Sequence, residues 1–218
     1  HAPRRMAVLD PLKLIIENFT DEPAEALEVV NHPQDESFGN RPVKFSSEIF
    51  IEQEDFMEDP PKKFFRLGPD RYVRLRGGPI IQCTGFEKDA EGKVILLRAR
   101  LLPNSTGKDS PEGIACKAVI HWVDGRSAAT ATVRLYERLF TVEDPDAAEG
   151  GFLSVLNPES VQTIEAKIES SLLHEAPGFT CQFERMGYFI ADSKDHIPGQ
   201  TAVYNRTVAL RDSWVKSR

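Results

Sequence analysis

The segment PPKKFFRLGPDRYVRLRGGPIIQCTGFE, residues 60–87, carries the pattern that decides the fold class. In Tyr72–Arg76 the apolar residues Val73 and Leu75 alternate with polar or charged ones. Successive side chains of a β-strand point to opposite faces of a sheet, so this alternation predicts a strand with one buried side. Ile80–Glu87 predicts a second strand in the same way. The segment therefore indicates a β protein.

Similar alternation recurs along most of the chain, whereas helical periodicity is scarce. A fair helical pattern occurs near Ser170–Glu175, and a weaker turn is predicted at Glu54–Met57. The pattern favours an all-β protein of barrels or sandwiches. The predicted strands are Val8–Glu17, Ala26–Asn31, Val43–Gln53, Tyr72–Arg76, Ile80–Glu87, Val94–Leu102, Cys116–Val123, Ala129–Phe140, Phe179–Glu184, Tyr188–Asp192 and Ala202–Arg211.

The overall composition indicates a globular protein and limits its partners. Of the 218 residues 28% are charged and 40% are hydrophobic, and the net charge is -7. An acidic protein does not coat nucleic acid indiscriminately, because that needs positive charge over a wide surface. No apolar run approaches the roughly 18 residues of a membrane helix, and no signal peptide opens the chain. We expect a cytoplasmic protein without a membrane partner, whose contacts with nucleic acid are local.

The cysteines and histidines form no pattern typical of a metal site or a catalytic centre. Cys83, Cys116 and Cys181 are odd in number and far apart, which argues against zinc and against a disulfide framework. His121 lies on a strand with buried character and is interpreted as a core residue. The loop EDPDAAEG, from Glu143, lacks the spacing of a calcium site, and no glycine-rich phosphate loop occurs. We predict no catalytic residue, metal or cofactor in this chain.

Positive charge and aromatic rings are concentrated in the first part of the 60–87 segment. From Lys62 to Arg76 there are six basic residues, three aromatic residues and one acid, whereas residues 48–59 hold six acids and no base. Aromatic rings and guanidinium planes stack on unpaired bases, and arginine forks bind base edges. The basic run is therefore a candidate platform for single-stranded RNA. The alternative is a solvated basic strand that balances the acidic one before it.

Eight segments spread over the whole chain resemble segments of a known family and occur in the same order as there. They are HAPRRMAVLDPLKLIIENF from His1, NHP from Asn31, KDAEGK from Lys88, VIHWV from Val119, VRLYERLF from Val133, FLSVLNPES from Phe152, FERMGYF from Phe183 and NRTVALRDSW from Asn205. In this order they resemble the C-terminal anticodon-binding half of the class I glutaminyl-tRNA synthetases. Glutamyl-tRNA synthetases of archaeal and eukaryotic type share the architecture and are the nearest alternative.

The resemblance implies two β-barrels of the type found in the ribosomal protein that binds 5S ribosomal RNA. Their N-terminal strands would be exchanged, and helices would be few and short. The distal barrel would comprise residues 30–125, and the proximal barrel residues 1–29 and 126–218. A catalytic nucleotide-binding domain with HIGH and KMSKS motifs would precede His1, so that His1 marks a cut edge. ATP and magnesium would bind in that domain, and this chain would bind tRNA as a monomer.

The resemblance also implies the roles of two arginines in the basic run. Arg66 matches the residue that reads the third anticodon base, a guanine, whose O6 and N7 suit an arginine fork. Arg74 matches an arginine near the first anticodon base, where its charge would suit a phosphate. Arg71 serves as an internal control that would change little when removed, if it has no base or phosphate partner.

Four further residues match positions around the middle anticodon base, a uracil. Arg4, Gln182 and Arg185 can donate to the uracil carbonyls, and the glutamine amide can also accept a hydrogen bond. Pro33 would line the same pocket. Gln182 and Arg185 have opposite parity, so an unbroken strand would point them to opposite faces of the sheet. A bend or bulge near Gly187 would bring them together.

These patterns leave two classes of function. The first is the anticodon-binding region of a glutamine–tRNA ligase or of the related glutamyl enzyme. The second is a plain RNA-binding barrel of ribosomal type, or a structural domain with a basic strand. A ribosomal RNA binder should be short and basic, whereas this chain is long, acidic and keeps its cations in a few places. Its distribution of charge favours the first class.

Overall fold

The structure is a computed structural model, and it describes residues 2–20, 25–114 and 116–210. In those ranges the helices are short 3₁₀ turns of at most five residues, and none has the length and apolar character needed to cross a membrane. The prediction of an all-β protein is confirmed. The strands are β1 (Arg4–Arg5), β2 (Ala7–Val8), β3 (Pro11–Ile16), β4 (Glu25–Val30), β5 (Asn40–Phe45), β6 (Glu48–Glu52), β7 (Tyr72–Leu75), β8 (Ile80–Lys88), β9 (Val94–Leu101), β10 (Val119–Ile120), β11 (Val123–Asp124), β12 (Ala129–Tyr136), β13 (Val161–Ile168), β14 (Thr180–Phe183), β15 (Gly187–Ala191) and β16 (Ala202–Ala209).

Two seven-stranded sheets contain most of these strands. Sheet I has the order β1-β14-β15-β16-β12-β13-β2, and sheet II has the order β10-β7-β8-β9-β3-β6-β11. The strands β4 and β5 pair with each other as a separate antiparallel hairpin. Both large sheets are barrel-like, and the prediction of two β-barrels is confirmed.

The N-terminal strands divide between the two sheets. β1 and β2 belong to sheet I, whereas β3 lies between β9 and β6 in sheet II. The chain crosses at Leu9 and Asp10, whose backbone amides donate to the buried carboxylate of Glu52 at 2.7 and 3.0 Å. This crossing is the exchange of N-terminal strands that the resemblance implies. The barrel boundaries at residues 30 and 126 stay a prediction. The strand β3 belongs to sheet II although its residues precede residue 30.

Each sheet covers its own apolar core. Sheet II and the β4–β5 hairpin enclose the larger cluster, which includes the fully buried ring of Trp122. Sheet I encloses the smaller one, where the fully buried rings of Phe183 and Phe189 stack with centroids 4.1 Å apart. Burying a large apolar side chain contributes about 1.5–3 kcal/mol. These cores give the loops of both barrels a rigid support.

A buried ionic cluster ties the β4–β5 hairpin to sheet I. The carboxylate of Glu169 is 6% exposed and accepts hydrogen bonds from Nε and Nη2 of Arg41 at 2.9 and 2.8 Å. It also accepts one from the backbone amide of Met6 at 3.2 Å. Arg41 and Arg5 both donate to Oδ1 of Asn31, at 3.1 and 2.9 Å. The cluster therefore fixes the start of the NHP segment against the N-terminal strand.

Several predicted elements differ from the observed ones. The strand expected at Val43–Gln53 is wrong as a single element, because β5 ends at Phe45 and β6 begins at Glu48. The hydroxyl of Ser46 donates to the carbonyl of Glu48 at 2.9 Å and also accepts from its amide at 3.3 Å. Serine side chains compete in this way for backbone groups, which interrupts regular strand pairing.

Other differences occur where burial is incomplete. The strand β13 was not predicted, and its first three residues are exposed, so they show no apolar alternation. The expected strand Cys116–Val123 is reduced to β10 and β11, and the expected helix near Ser170–Glu175 is a 3₁₀ turn at Ser170–His174. The strand predicted to Arg211 ends at Ala209, and Arg211 lies outside the described residues.

Candidate nucleic-acid interface

The basic run lines a cleft of about 420 Å³ beside the edge of sheet II that β10 and β7 form. Phe65 is half exposed there, and the ammonium of Lys117 lies 5.3 Å from the centroid of its ring. An exposed ring beside cations is a suitable surface for stacking a nucleic-acid base. The lining residues are Lys62, Phe64, Phe65, Arg66, Asp70, Arg71, Tyr72, Gly113 and Lys117.

Arg66 is held beside the acidic segment that follows β6. The backbone amide of Leu67 donates to the carbonyl of Asp55 at 3.0 Å, which places the two segments side by side. The Arg66 Nη1 donates to the carbonyl of Glu54 at 3.1 Å and to its Oε1 at 2.9 Å, and lies 3.3 Å from Oδ1 of Asp55. In the described part of the chain, Nε and Nη2 of Arg66 have no partner. These two donors form a fork that fits two acceptors on a base edge.

Arg185, which follows β14 of sheet I, binds the carboxylate of Asp55 as well. Its Nη1 and Nη2 donate to the two oxygens of Asp55 at 2.8 and 2.6 Å, and Asp55 is fully buried. Burial lowers the pKa of the Arg185 guanidinium, but the hydrogen bonds and charge of Asp55, with smaller effects of Glu54 and Glu52, raise it above its usual value. Arg185 therefore stays charged although it is largely buried.

Gln182 and Arg4 lie next to each other in sheet I. The strands β1 and β14 run parallel, with Arg4 opposite Gln182 in the register. The backbone amide of Arg4 donates to the carbonyl of Asn31 at 2.7 Å, so that the exposed Pro33 follows in the same loop. The carboxylate of Glu184 lies 3.6 Å from Nη1 of Arg4. The structure therefore places Arg4 beside Gln182 and binds Arg4 to Asn31, two residues before Pro33.

The opposite parity of Gln182 and Arg185 is explained by a tight turn. β14 ends at Phe183 and β15 begins at Gly187, and the amide of Met186 donates to the carbonyl of Phe183 at 2.9 Å. Arg185 has a φ of 68° and Gly187 a φ of 146°, both outside the conformations that strands adopt. Arg185 therefore leaves the strand at a hairpin turn, which is a bend next to Gly187 as predicted, and an irregularity of the strand pairing follows between Tyr188 and Phe189.

Arg74 lies on β7 and holds a loop of sheet II. Its Nη1 donates to the carbonyl of Ser105 at 2.7 Å, and its Nη2 donates to the carbonyl of Lys108 at 2.6 Å. On the same side of β7, Nη2 of Arg76 lies 3.7 Å from Oε2 of Glu184. Arg74 thus shares no contact with the Asp55 cluster in the described residues. Its position orders the loop that follows β9.

Arg71 is unsuitable as the neutral control that the sequence suggested. Its Nη1 donates to the carbonyl of Phe64 at 2.6 Å, and its Nη2 donates to the carbonyl of Pro60 at 3.2 Å. Phe64 belongs to the basic run, and Pro60 lies two residues before it. Removing Arg71 would leave this segment without two of its hydrogen bonds, so that effects on binding would not be free of effects on structure.

Glu54, Asp55 and Glu184 bind arginines of the candidate interface, but sequence reasoning missed them. The signal for Glu54 and Asp55 was the run of six acids immediately before the basic segment. The sequence suggested for it only the alternative that the basic strand balances its charge, whereas two of its carboxylates bind the arginines directly. For Glu184 the sequence gives only its place beside the predicted site residue Arg185.

The remaining candidate groups have structural surroundings. His121 is fully buried with its Nε2 3.2 Å from Oε1 of Glu52, which fits its interpretation as a core residue. Burial raises the pKa of the free thiols of Cys83, Cys116 and Cys181, so none is an activated nucleophile. The described residues include no group of three or more His, Cys, Asp or Glu side chains that could hold a metal ion.

Comparisons with known proteins match nearly the whole chain to tRNA synthetases and their anticodon-binding domains. Residues 2–102 and 119–192 match two models of the anticodon-binding domain of class I tRNA synthetases for glutamate (E) and glutamine (Q). The chain is similar to glutamine–tRNA ligases of Nitrobacter hamburgensis (49% identity over 215 residues), Nitrobacter winogradskyi (51% over 216) and Vibrio cholerae (48% over 216). Each match covers 99% of this chain and 38% of the relative, so the chain spans about two fifths of those proteins' length.

Proposed function

The chain belongs to the family of anticodon-binding domains of class I glutamyl- and glutaminyl-tRNA synthetases, and from this we propose that it recognises the anticodon loop of tRNA(Gln) for a glutamine–tRNA ligase. The relatives that cover 99% of the chain are glutamine–tRNA ligases, which supports glutamine over glutamate. The function would be carried out in the cytoplasm by a monomer.

The observation that carries the proposal is the convergence of Arg66 and Arg185 on Asp55. Arg66 lies between β6 and β7 of sheet II and Arg185 in the turn between β14 and β15 of sheet I, yet their guanidinium groups lie on one carboxylate. The turn that carries Arg185 begins one residue after Gln182, which pairs with Arg4. Donors that would serve two neighbouring bases would thus meet at the junction of the two barrels.

Each predicted residue keeps a defined role in this proposal. The free edge of Arg66 would bind O6 and N7 of a guanine at the third anticodon position. Arg4, Gln182 and Arg185 would surround the uracil at the middle position, and the exposed ring of Pro33 would pack beside it. Specific RNA reading of this kind needs bases that are unstacked from the loop.

The first anticodon position would lie nearer to β7. Arg74 would support this position through the loop that it holds at Ser105 and Lys108, while its charge favours the nearby phosphates. Such a contact does not demand one particular base, which suits a position where cytosine and uracil must both be accepted.

The chemical step would belong to the rest of the ligase. We propose that ATP and magnesium bind outside this chain, and that the chain alone gives neither glutaminylation nor amino-acid-dependent exchange of pyrophosphate. The proposal is supported by the 38% share of the relatives' length that the chain covers. The contribution of this chain would be to position the tRNA.

Chemical footprinting of tRNA(Gln) tests the proposed function. We expect the chain to protect the three anticodon bases and their flanking phosphates, and to leave the acceptor stem as reactive as in free tRNA. A tRNA of unrelated anticodon serves as the control and should show weak protection at most. Protection of the acceptor stem, or equal protection of both anticodon loops, would contradict the proposal.

A further inference from the structure

Arg66 and Arg185, which are assigned to neighbouring bases, contact the same two carboxylate oxygens. Oδ1 of Asp55 lies 3.3 Å from Nη1 of Arg66 and 2.6 Å from Nη2 of Arg185. Oε1 of Glu54 lies 2.9 and 3.6 Å from the same two nitrogens. Two guanidinium groups and two carboxylates thus form one cluster across the junction of the sheets.

Asp55 dominates this cluster because it is buried. Asp55 is fully buried, whereas the side chain of Glu54 is 62% exposed and therefore screened by water. Asp55 binds Arg185 through both oxygens, and its backbone carbonyl also accepts from the amide of Leu67, next to Arg66. A shift of Asp55 would therefore move both arginines.

The loss of the Asp55 charge would expose the two arginines to each other's positive charge. Two guanidinium groups that share one oxygen repel each other once that oxygen is neutral, and removing one partner of a buried pair leaves the other unpaired. Arg66 and Arg185 would then separate, and neither would keep the position that faces its base. A movement of one arginine away from Asp55 would likewise change how Asp55 binds the other arginine.

We propose that Asp55 is a positioning residue that couples the two arginines, so that the middle and third anticodon bases are read together. The inference rests on the proposed function, because it takes the assignment of Arg66 and Arg185 to these bases from there. It adds that discrimination at one base depends on the arginine assigned to the other.

The test is binding of the chain to four tRNA(Gln) transcripts. They carry the normal anticodon, cytosine at the middle position, adenine at the third position, or both changes. In the unaltered chain we expect the losses of affinity to be non-multiplicative, with a coupling of about threefold or more. In Asp55→Asn, which keeps the shape but loses the charge, we expect discrimination at both positions to fall and the coupling to vanish.

A second variant keeps the test decisive if Asp55→Asn does not fold. Arg185→Lys replaces a fork by a point charge that cannot bind both oxygens of Asp55. Although Arg185 is assigned to the middle base, we expect this variant to reduce discrimination at the third base about threefold or more. Glu87→Gln is the matched control, because Glu87 pairs with Arg98 on the exposed face of sheet II. It should leave all four affinities and their coupling unchanged.

Four outcomes distinguish a failure of the proposed function from a failure of this inference. If the unaltered chain binds all four transcripts equally, the proposed function is wrong. If it discriminates but the two base changes multiply, or if folded Asp55→Asn binds every RNA more weakly with discrimination intact, Asp55 is only structural and the inference is overturned. Unchanged third-base discrimination in Arg185→Lys overturns it as well.

Discussion

At the scale of residues, the arginines of the interface are held in place by partners within the protein. Arg66 and Arg185 bind acidic side chains, whereas Arg71 and Arg74 donate to backbone carbonyls. An arginine whose position is already fixed loses less conformational freedom when RNA arrives. The interface therefore offers positioned donors in place of a mobile cationic surface.

Arg74→Ala is expected to weaken binding of every tRNA to a similar degree. Its guanidinium ties Ser105 and Lys108 to β7, so its loss should also speed amide exchange in residues 105–108. Affinities for tRNAs of different anticodons, together with hydrogen exchange, measure the two effects. Arg100→Ala, an exposed arginine on β9, is the control and should change neither. A loss confined to one anticodon base would show that Arg74 reads that base.

Sequence reasoning named the arginines of the candidate site but not their partners within the protein. The basic run and the matching positions pointed to Arg66 and Arg185. The bond between Arg185 and Asp55 joins residues separated by 130 positions, in turns that follow strands of different sheets. A separation of this length leaves no local pattern, because only the packing of the barrels brings the two residues into contact.

At the scale of elements, the β14–β15 hairpin determines which side chains reach the interface. Its turn places Arg185 outside the strand, with a φ of 68°. Gly187 follows with a φ of 146°, and a Cβ built on it would lie 2.5 Å from the carbonyl oxygen of Val208. The backbone there must adopt a conformation that only glycine reaches without strain.

Gly187→Ala is therefore expected to destabilise the chain by about 1–3 kcal/mol. The added methyl group must push against the backbone of β16, and the turn that carries Arg185 must shift with it. Urea unfolding, with a constant m-value, measures the loss. Gly85→Ala is the matched control, since a Cβ there meets no atom within 4 Å. Equal stability of the two variants would contradict this account of the turn.

The sequence predicted strands where one face is buried and the other is wet. β7 shows this regular alternation of burial, and its limits were predicted to within one residue. β13 was missed because its first three residues are all exposed. The Val43–Gln53 strand was predicted as one element because the hydrogen bonds of Ser46 that interrupt it leave no mark in the apolar pattern. Apolar alternation in a sequence reflects the burial of one face of a strand. It therefore fails to predict the limits of a strand wherever burial of that face begins or ends at a different residue.

At the scale of the whole molecule, a negatively charged protein presents cations in a restricted area. The net charge is -7, yet six basic residues fall within the 15 positions from Lys62 to Arg76. Negative charge elsewhere repels the phosphate backbone of RNA and so disfavours non-specific association. Binding should then depend on a few contacts at the junction of the barrels.

The salt dependence of tRNA binding is expected to reflect these few contacts. Each phosphate contact contributes about 0.7–0.9 to the slope of log affinity against log salt concentration, so a slope of a few units is expected. Titrations from low to moderate salt with one tRNA measure it. A slope near ten would require a broad basic face and would contradict a local interface.

We propose that the basic run reads a base and does more than attract RNA. The most direct test compares Arg66→Ala with the unaltered chain on tRNA(Gln) transcripts that carry guanine or adenine at the third anticodon position. We expect the variant to lose about 1–3 kcal/mol of discrimination between them, and Arg66→Lys to restore little of it. Equal losses of affinity for both transcripts would show that Arg66 supplies charge without reading sequence.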